Sequence, residues 1–216
     1  LRIKKDTVMK YTWIIFLLVL LGGCNTDYNY IDSGLANGRF DGNMYEYFRA
    51  NRYDWDSTRV MIERAGLVDL FEGKRAGYEK ITFFGPTTFS ILRWMLEKRY
   101  ERIADIPVEL CEELILCHVV KGIQMRDDIP RGERIANQAQ GKGGVVLTSA
   151  FGSQMWVYSF REPYEDIPDV GPVVLYISSF VSQSYINVIS TNIESDNGVV
   201  HSLYYDYSMT LLKDNN

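Results

Sequence analysis

Ile81-Thr82-Phe83-Phe84-Gly85-Pro86-Thr87-Thr88-Phe89-Ser90-Ile91 carries a strand, a stop and a helix start in eleven residues. Its first four residues are β-branched or aromatic and stop at Gly85-Pro86, which reads as a buried strand. Pro86 ends the strand without losing a needed donor and steers the chain into a helix start. Thr87 or Thr88 then caps a helix to about Tyr100, with Phe89, Leu92 and Leu96 on its apolar stripe. Upstream, Met44, Tyr45, Tyr47 and Phe48 fall at helical spacing between Asn43 and about Arg52. A second helix is expected from a capping-type start at Asp56-Ser57 to about Gly66, and Leu67 to Phe71 reads as a short helical turn. Downstream, Pro107 suits the first turn of a helix over Val108 to Cys117.

Beyond that point the period changes. Val145 to Leu147, Gln154 to Phe160, Val173 to Phe180 and Tyr185 to Ser190 are strand-like, separated by Gly152, Pro163, Pro168, Gly171 and Pro172. Asn197-Gly198 between apolar runs is a hairpin signal, because both residues tolerate positive φ, and Val199-Val200 open a last buried strand. Helices first and strands afterwards is an α+β order.

Four segments together resemble the fasciclin domain family. The first is the stretch quoted above, similar to that family's strand-into-helix motif. Leu116-Cys117-His118-Val119-Val120-Lys121-Gly122 resembles its Tyr-His motif, and Asn197-Gly198-Val199-Val200-His201-Ser202-Leu203 its closing strand. Ala65 to Phe71 is similar to its early helix ending. Three positions depart from the usual pattern: Thr88 stands for Asn or Asp, Cys117 for Tyr and Tyr204 for Asp. The resemblance implies a wedge-shaped β-sandwich with helices packed on it, mainly from the N-terminal half. It also implies adhesion or interaction without a reaction or an obligatory cofactor. Pro86, Thr87, His118, Asn197, Gly198 and His201 are then structural motif residues.

The N-terminal segment reads as a secretory leader. From Met9 a basic start is followed by an apolar run from Trp13 to Leu21 and then Gly22-Gly23-Cys24; residues 1–8 are set aside. The run is well short of the roughly 18 to 20 residues that cross a bilayer. Leu21-Gly22-Gly23-Cys24 resembles a bacterial lipobox, which implies an acylated Cys24, and stable anchoring needs at least two lipid signals. The expected organisation is a signal peptide at 1–23, a polar tether at 24–38 and a fasciclin-like domain at 39–213. It resembles lipoproteins of the Bacteroides group, some of which accompany glycan-uptake systems. The expected location is the cell envelope, at the outer membrane.

About 190 residues would follow cleavage, enough for one domain with a sizeable core. The formal charge is −5, and removing Arg2, Lys4, Lys5 and Lys10 makes the remainder more acidic. An acidic, unpatterned surface argues against nucleic acid and against polybasic contact with anionic lipid. Cys111 and Cys117 lie six residues apart in one helix, about 9 Å at 1.5 Å per residue, beyond the roughly 7 Å reach of a disulfide. They are expected as buried thiols.

Little in the chain points to catalysis. His118 and His201 read as hydrogen-bonded scaffold residues rather than a metal pair, since no third and fourth ligand stands at suitable spacing. His118 ends an apolar helix, where a ring nitrogen can cap open carbonyls. Phe151-Gly152-Ser153-Gln154 lacks the second glycine of a nucleophile turn. Gly141-Lys142-Gly143-Gly144 does not match a phosphate loop and reads as a flexible connection. Glu112-Glu113, Asp127-Asp128 and Glu165-Asp166 read as solvated pairs. No catalytic, cofactor or metal residues are expected. What remains is surface: Trp156, Tyr158 and Phe160 share one strand face, as sheet core or as a binding face, and Tyr164 in the following loop is the stronger surface candidate. Tyr204, Tyr205 and Tyr207 crowd the C-terminus. The partner expected is an envelope protein or a glycan; the rival is an envelope hydrolase acting on glycan or ester.

Overall fold

A computed structural model describes residues 38–180, 182, 184–209 and 212. The leader, Cys24 and the tether up to residue 37 lie outside the described residues.

Five helices precede most of the strands. Helix α1, Met44–Ala50, begins with a capping box: the Asn43 side chain accepts from the Glu46 amide, and the Glu46 carboxylate accepts from the Asn43 amide. Helix α2, Arg52–Arg64, starts before the expected Asp56-Ser57. Both residues lie inside it, where Asp56 is held by Arg52 and Arg59 one turn to either side. Helix α3, Val68–Phe71, is a single turn.

Strand β1, Ile81–Gly85, is buried along its whole length. The Pro86 carbonyl accepts from the buried Thr58 hydroxyl at 2.7 Å, which ties the turn after β1 to α2. Thr87 caps helix α4, Thr88–Lys98. Its buried face carries Ser90, Ile91, Trp94 and Met95. The stripe expected inside faces outward instead, with Phe89 and Leu92 45% exposed and Leu96 77%. The helix is apolar on more than one side, and the large ring of Trp94 decides which side goes in. Helix α5, Val108–Leu116, follows Pro107. Cys111 and Cys117 are buried at and just beyond it, and no disulfide joins them.

The strands are β2 (Val119–Lys121), β3 (Gly132–Glu133), β4 (Lys142–Gly143), β5 (Val145–Thr148), β6 (Gln154–Arg161), β7 (Val173–Ser179), β8 (Tyr185–Ser195) and β9 (Gly198–Leu203). Seven belong to one hydrogen-bonded sheet, in the order β2-β1-β9-β8-β7-β6-β5, and β3 with β4 make a separate two-stranded ribbon. The resemblance had implied two facing sheets; the ladder here is continuous, with register shifts along β8 between Val188, Ser190 and Ile193, the kind of irregularity that bends a strand. All pairs in the sheet are antiparallel except β1 with β9, which run parallel with Ile81 opposite Gly198 and Gly85 opposite Ser202. One core joins the inward residues of the helices to alternate strand residues such as Met155, Val157, Leu175, Ile177 and Val188.

The β8–β9 hairpin has a different turn from the expected one. Ser195 pairs with Gly198, so the two turn residues are Asp196 and Asn197. Neither is among the positive-φ residues. Asn197 is buried and its side chain works across the fold. Its Oδ1 accepts from the Met44 amide at 2.8 Å, its Nδ2 donates to the Phe71 carbonyl at 2.9 Å, and its own carbonyl accepts from the Ile81 amide at 3.1 Å. Gly198 is required by proximity rather than by the turn, since a Cβ there would run into the Ile81 carbonyl of the adjacent strand.

Asn197→Ala would leave the Phe71 carbonyl and the Met44 amide without their buried partner. The expected cost is about 2–4 kcal/mol, one to two unsatisfied groups at roughly 1–3 kcal/mol each. Urea unfolding of the variant checks this, and a loss below about 0.5 kcal/mol, the range of ordinary surface changes, would show that the hub is dispensable.

Candidate functional site

Met155, Val157, Leu175, Ile177, Ile186 and Val188 turn into the core, and the alternate residues of β6, β7 and β8 point to the opposite face of the sheet. Their register sets Trp156 beside Ser178 and Tyr185, Tyr158 beside Tyr176 and Asn187, and Phe160 beside Val174. Trp156 and Tyr158 had been candidates for an exposed binding face, but they are 0% and 2% exposed. The ribbon of β3 and β4 covers them. The Trp156 indole donates to the Gly143 carbonyl at 2.9 Å. Gly143 and Gly144 take φ of 66° and 63°, and a Cβ on Gly144 would strike the Trp156 ring. The glycine run is therefore a fitted cover over an indole, not a flexible connection.

At the open end of this cover the aromatic row continues. Trp156 stacks on Tyr158 with centroids 4.2 Å apart and planes at 20°, and Tyr158 stacks on Tyr176 at 5.5 Å and 21°. Arg134, one residue after β3, lies over the row. Its Nε donates to the Tyr158 hydroxyl at 2.9 Å, and its guanidinium carbon sits 3.5 Å from the Tyr185 centroid and 5.3 Å from that of Tyr176. Glu133, Arg134, Tyr158, Phe160, Glu162 and Tyr176 line a cavity of about 380 Å³. A second cavity of about 330 Å³ shares Glu162 and Tyr176 and continues over Val174, Asn187 and Ile189. The Tyr176 hydroxyl donates to Glu162, and burial followed by this bond pushes its pKa up to about 12. Burial also raises Tyr158, against the opposing influence of Arg134. Both phenols therefore keep their protons at neutral pH, with Tyr158 accepting from Arg134 and Tyr176 donating to Glu162.

Tyr164 is 60% exposed, in the β6–β7 connection, where it and Ile167 exchange backbone hydrogen bonds. It is not a lining residue of either cavity. Glu165 and Asp166 sit in the same exposed connection, both at positive φ, and Asp127 is taken by Arg126. Ser153 is buried against the Ser149 hydroxyl at 2.8 Å. Among the described residues no three of His, Cys, Asp and Glu come together as a metal set, and no helix is long and apolar enough to cross a membrane.

Both histidines are fully buried and far from this cleft in role. His118 Nδ1 lies 2.6 Å from the Leu114 carbonyl, at the end of α5, and Nε2 lies 2.8 Å from the Tyr207 hydroxyl. The carbonyl can only accept, so Nδ1 carries the proton and Nε2 accepts from Tyr207. In His201 the roles reverse: Nδ1 accepts from the Asn192 amide at 3.3 Å, and Nε2 donates to the Gln124 carbonyl at 2.7 Å. Its ring stacks on Phe84 of β1 at 5.3 Å. Burial lowers each pKa to about 4.

Arg134, Glu162, Tyr176 and Asn187 were not singled out by the sequence. The strand over Val173 to Phe180 was read from the sequence, but its register against Tyr158 was not, and Arg134 reaches the row through the fold of the ribbon.

Comparison with known proteins places these observations. The fasciclin domain profile matches residues 54–204. Among solved structures, a FAS1 domain pair from the insect cell adhesion molecule fasciclin I is similar over 71% of this chain and 46% of that one, at 16% identity and a TM-score of 0.47. This chain thus spans about half the length of that structure. No curated protein matches the chain.

The buried imidazoles make stability depend on pH. Each has a folded pKa of about 4 against an ordinary 6.5, so the unfolded chain binds more protons between those values. Stability is full above pH 6.5 and falls as pH drops toward 4, by up to about 1.4 kcal/mol per pH unit for each histidine. Urea midpoints at pH 7.5, 6.5 and 5.5 should show this fall, and His118→Asn with His201→Gln should flatten it. A flat wild-type profile over that window would contradict the assignment.

Proposed function

We propose that this chain, which belongs to the fasciclin family, is a non-catalytic binding and adhesion module of the cell envelope, held by lipid on Cys24 and facing an envelope protein or a glycan. Its place is the outer membrane. The observation that carries the binding reading is the cleft of Arg134, Phe160, Glu162 and Tyr176: rings and fixed polar groups line it, while His118, His201, Cys111 and Cys117 are buried in the core. A pocket of this size, with aromatic walls and a few convergent polar groups, is the usual form of a ligand site. Family membership supports an adhesion role. The acidic balance speaks for partners other than nucleic acid.

A second reading, glycan hydrolysis, has one observation in its favour: two carboxylates, Glu133 and Glu162, line the same cavity, as a pair of acids does in most glycoside hydrolases. Against it, Glu133 faces Lys142 and Glu162 is occupied by the Tyr176 hydroxyl.

Expression of the full chain in a Gram-negative host fed an alkyne fatty acid tests the anchor. The wild type should carry the label and sediment with membranes, and Cys24→Ser should lose the label and stay soluble. An unlabelled wild type would remove the lipid from this account.

A further inference from the structure

We propose that the paired cavities on the outer face of β6, β7 and β8 form a cleft for a neutral saccharide chain at least two rings long. The proposal rests on the binding reading above and names the class of ligand for it.

The shape comes first. The two cavities, about 380 and 330 Å³, meet at the Glu162–Tyr176 pair, and each lies in the range of small-ligand pockets. A ligand that fills both is segmented, with one unit on either side of that hydrogen-bonded pair. The walls come next. Phe160 is half-buried, and its ring is backed by the Arg131 guanidinium at 5.7 Å. Tyr176 is braced from beneath by Tyr158, and Ile189 is 53% exposed over the second cavity. These surfaces suit a flat unit with an apolar face.

The polar groups select what rims that face. Among the described residues Arg134 donates to protein through its Nε, and its Nη groups supply further donors at the cavity. Glu162 accepts from Tyr176, yet an ionised carboxylate offers about four lone-pair sites. Asn187 adds one donor group and one acceptor beside the second cavity. Donors and acceptors at close quarters match vicinal hydroxyls, each of which both donates and accepts. The phenols are already pinned by Arg134 and Glu162, which lowers the ordering cost of binding.

Charge narrows the class further. Two carboxylates and one guanidinium line the first cavity, and Lys142 is engaged by Glu133, so no excess of positive charge is there to hold a uronate, sulfate or phosphate. A peptide strand is disfavoured by topology, because the edges of the sheet are β2 and β5. Strands β6 to β8 lie inside the ladder, and a peptide laid across the paired stretch of Leu175 to Ser178 with Tyr185 to Val188 gains no strand addition.

The test titrates the full Cys24→Ser chain with neutral hexasaccharides (β-1,4- and β-1,3-glucan, α-1,4-glucan, β-1,4-mannan and N-acetylglucosamine series), with trigalacturonate and with a lysine-rich peptide. Amide chemical shifts and calorimetry are the readouts. At least one neutral hexasaccharide should bind saturably, shifting the Phe160, Tyr176 and Ile189 amides. Phe160→Ala and Arg134→Ala should each weaken it about tenfold or more, the effect of losing an anchoring contact, with unchanged urea midpoints. Arg134→Lys separates loss of charge from loss of the forked donor should Arg134→Ala unfold. No neutral sugar binding at millimolar concentration, binding insensitive to both variants, or equal binding of trigalacturonate or the peptide would overturn the proposal. If sugars fail while the peptide binds at the same cleft, the binding reading survives and the saccharide assignment does not. If a bound hexasaccharide is cleaved, the saccharide assignment survives and the non-catalytic reading does not.

Discussion

The carboxamide of Asn197 closes this fold. Through one side chain it holds the first amide of α1 and the last carbonyl of α3, and through its backbone it starts the pairing of β9 with β1. The bonded groups lie 153 and 126 residues away in sequence. Parallel strands cannot be joined by a tight turn, so β1 and β9 need something other than chain connection to fix their register. Asn197 and the side-chain-free Gly198, pressed against the Ile81 carbonyl, supply it. Once β1 is seated, β2 pairs on its far side and α4 leaves at a set point through Pro86 and Thr87.

The same logic governs the other buried polar groups. A polar atom removed from water costs free energy unless it is hydrogen-bonded, and here most of the partners are backbone groups, several of them from segments distant in sequence. His118 takes the Leu114 carbonyl and Tyr207, His201 takes Gln124 and Asn192, and Thr82 accepts from the Gln124 amide while donating to the Gly122 carbonyl. Residues that would suggest chemistry in isolation are thus bound up in holding β1, β2 and β9 together. The outer face of β6 to β8 differs, because its aromatic row is only partly covered and its Arg and Glu side chains reach solvent. Scaffold and surface are divided between the two halves of one sheet.

Much of the scaffold was legible in the sequence because its signals are local. Ile81 to Thr87 reads as strand, stop and cap from steric and capping preferences alone, and Pro107 opens its helix. The position of His118 at a helix end was enough to anticipate a capping nitrogen. What failed to show was whatever depends on a partner distant in sequence. Phe89, Leu92 and Leu96 make as regular a stripe as Ile91, Trp94 and Met95, and only packing against the rest of the domain chooses between them. Asn197-Gly198 marks a hairpin correctly but carries no trace of Met44 or Phe71, the groups that explain the asparagine. Gly141 to Gly144 looks like slack until Trp156 is placed under it. The cleft was the least legible, since it arises where a ribbon, three strands and a register meet.

Both imidazoles are buried structural groups, each fixed in one tautomer by its backbone partners. Long-range ¹H–¹⁵N correlation spectra of the histidine rings, followed from pH 8 to pH 5 with and without added zinc, test it directly. The proton should sit on Nδ1 of His118 and on Nε2 of His201, with no titration near 6.5 and no response to the metal. A ring that titrates as in water, exchanges between tautomers or shifts on adding zinc would contradict it.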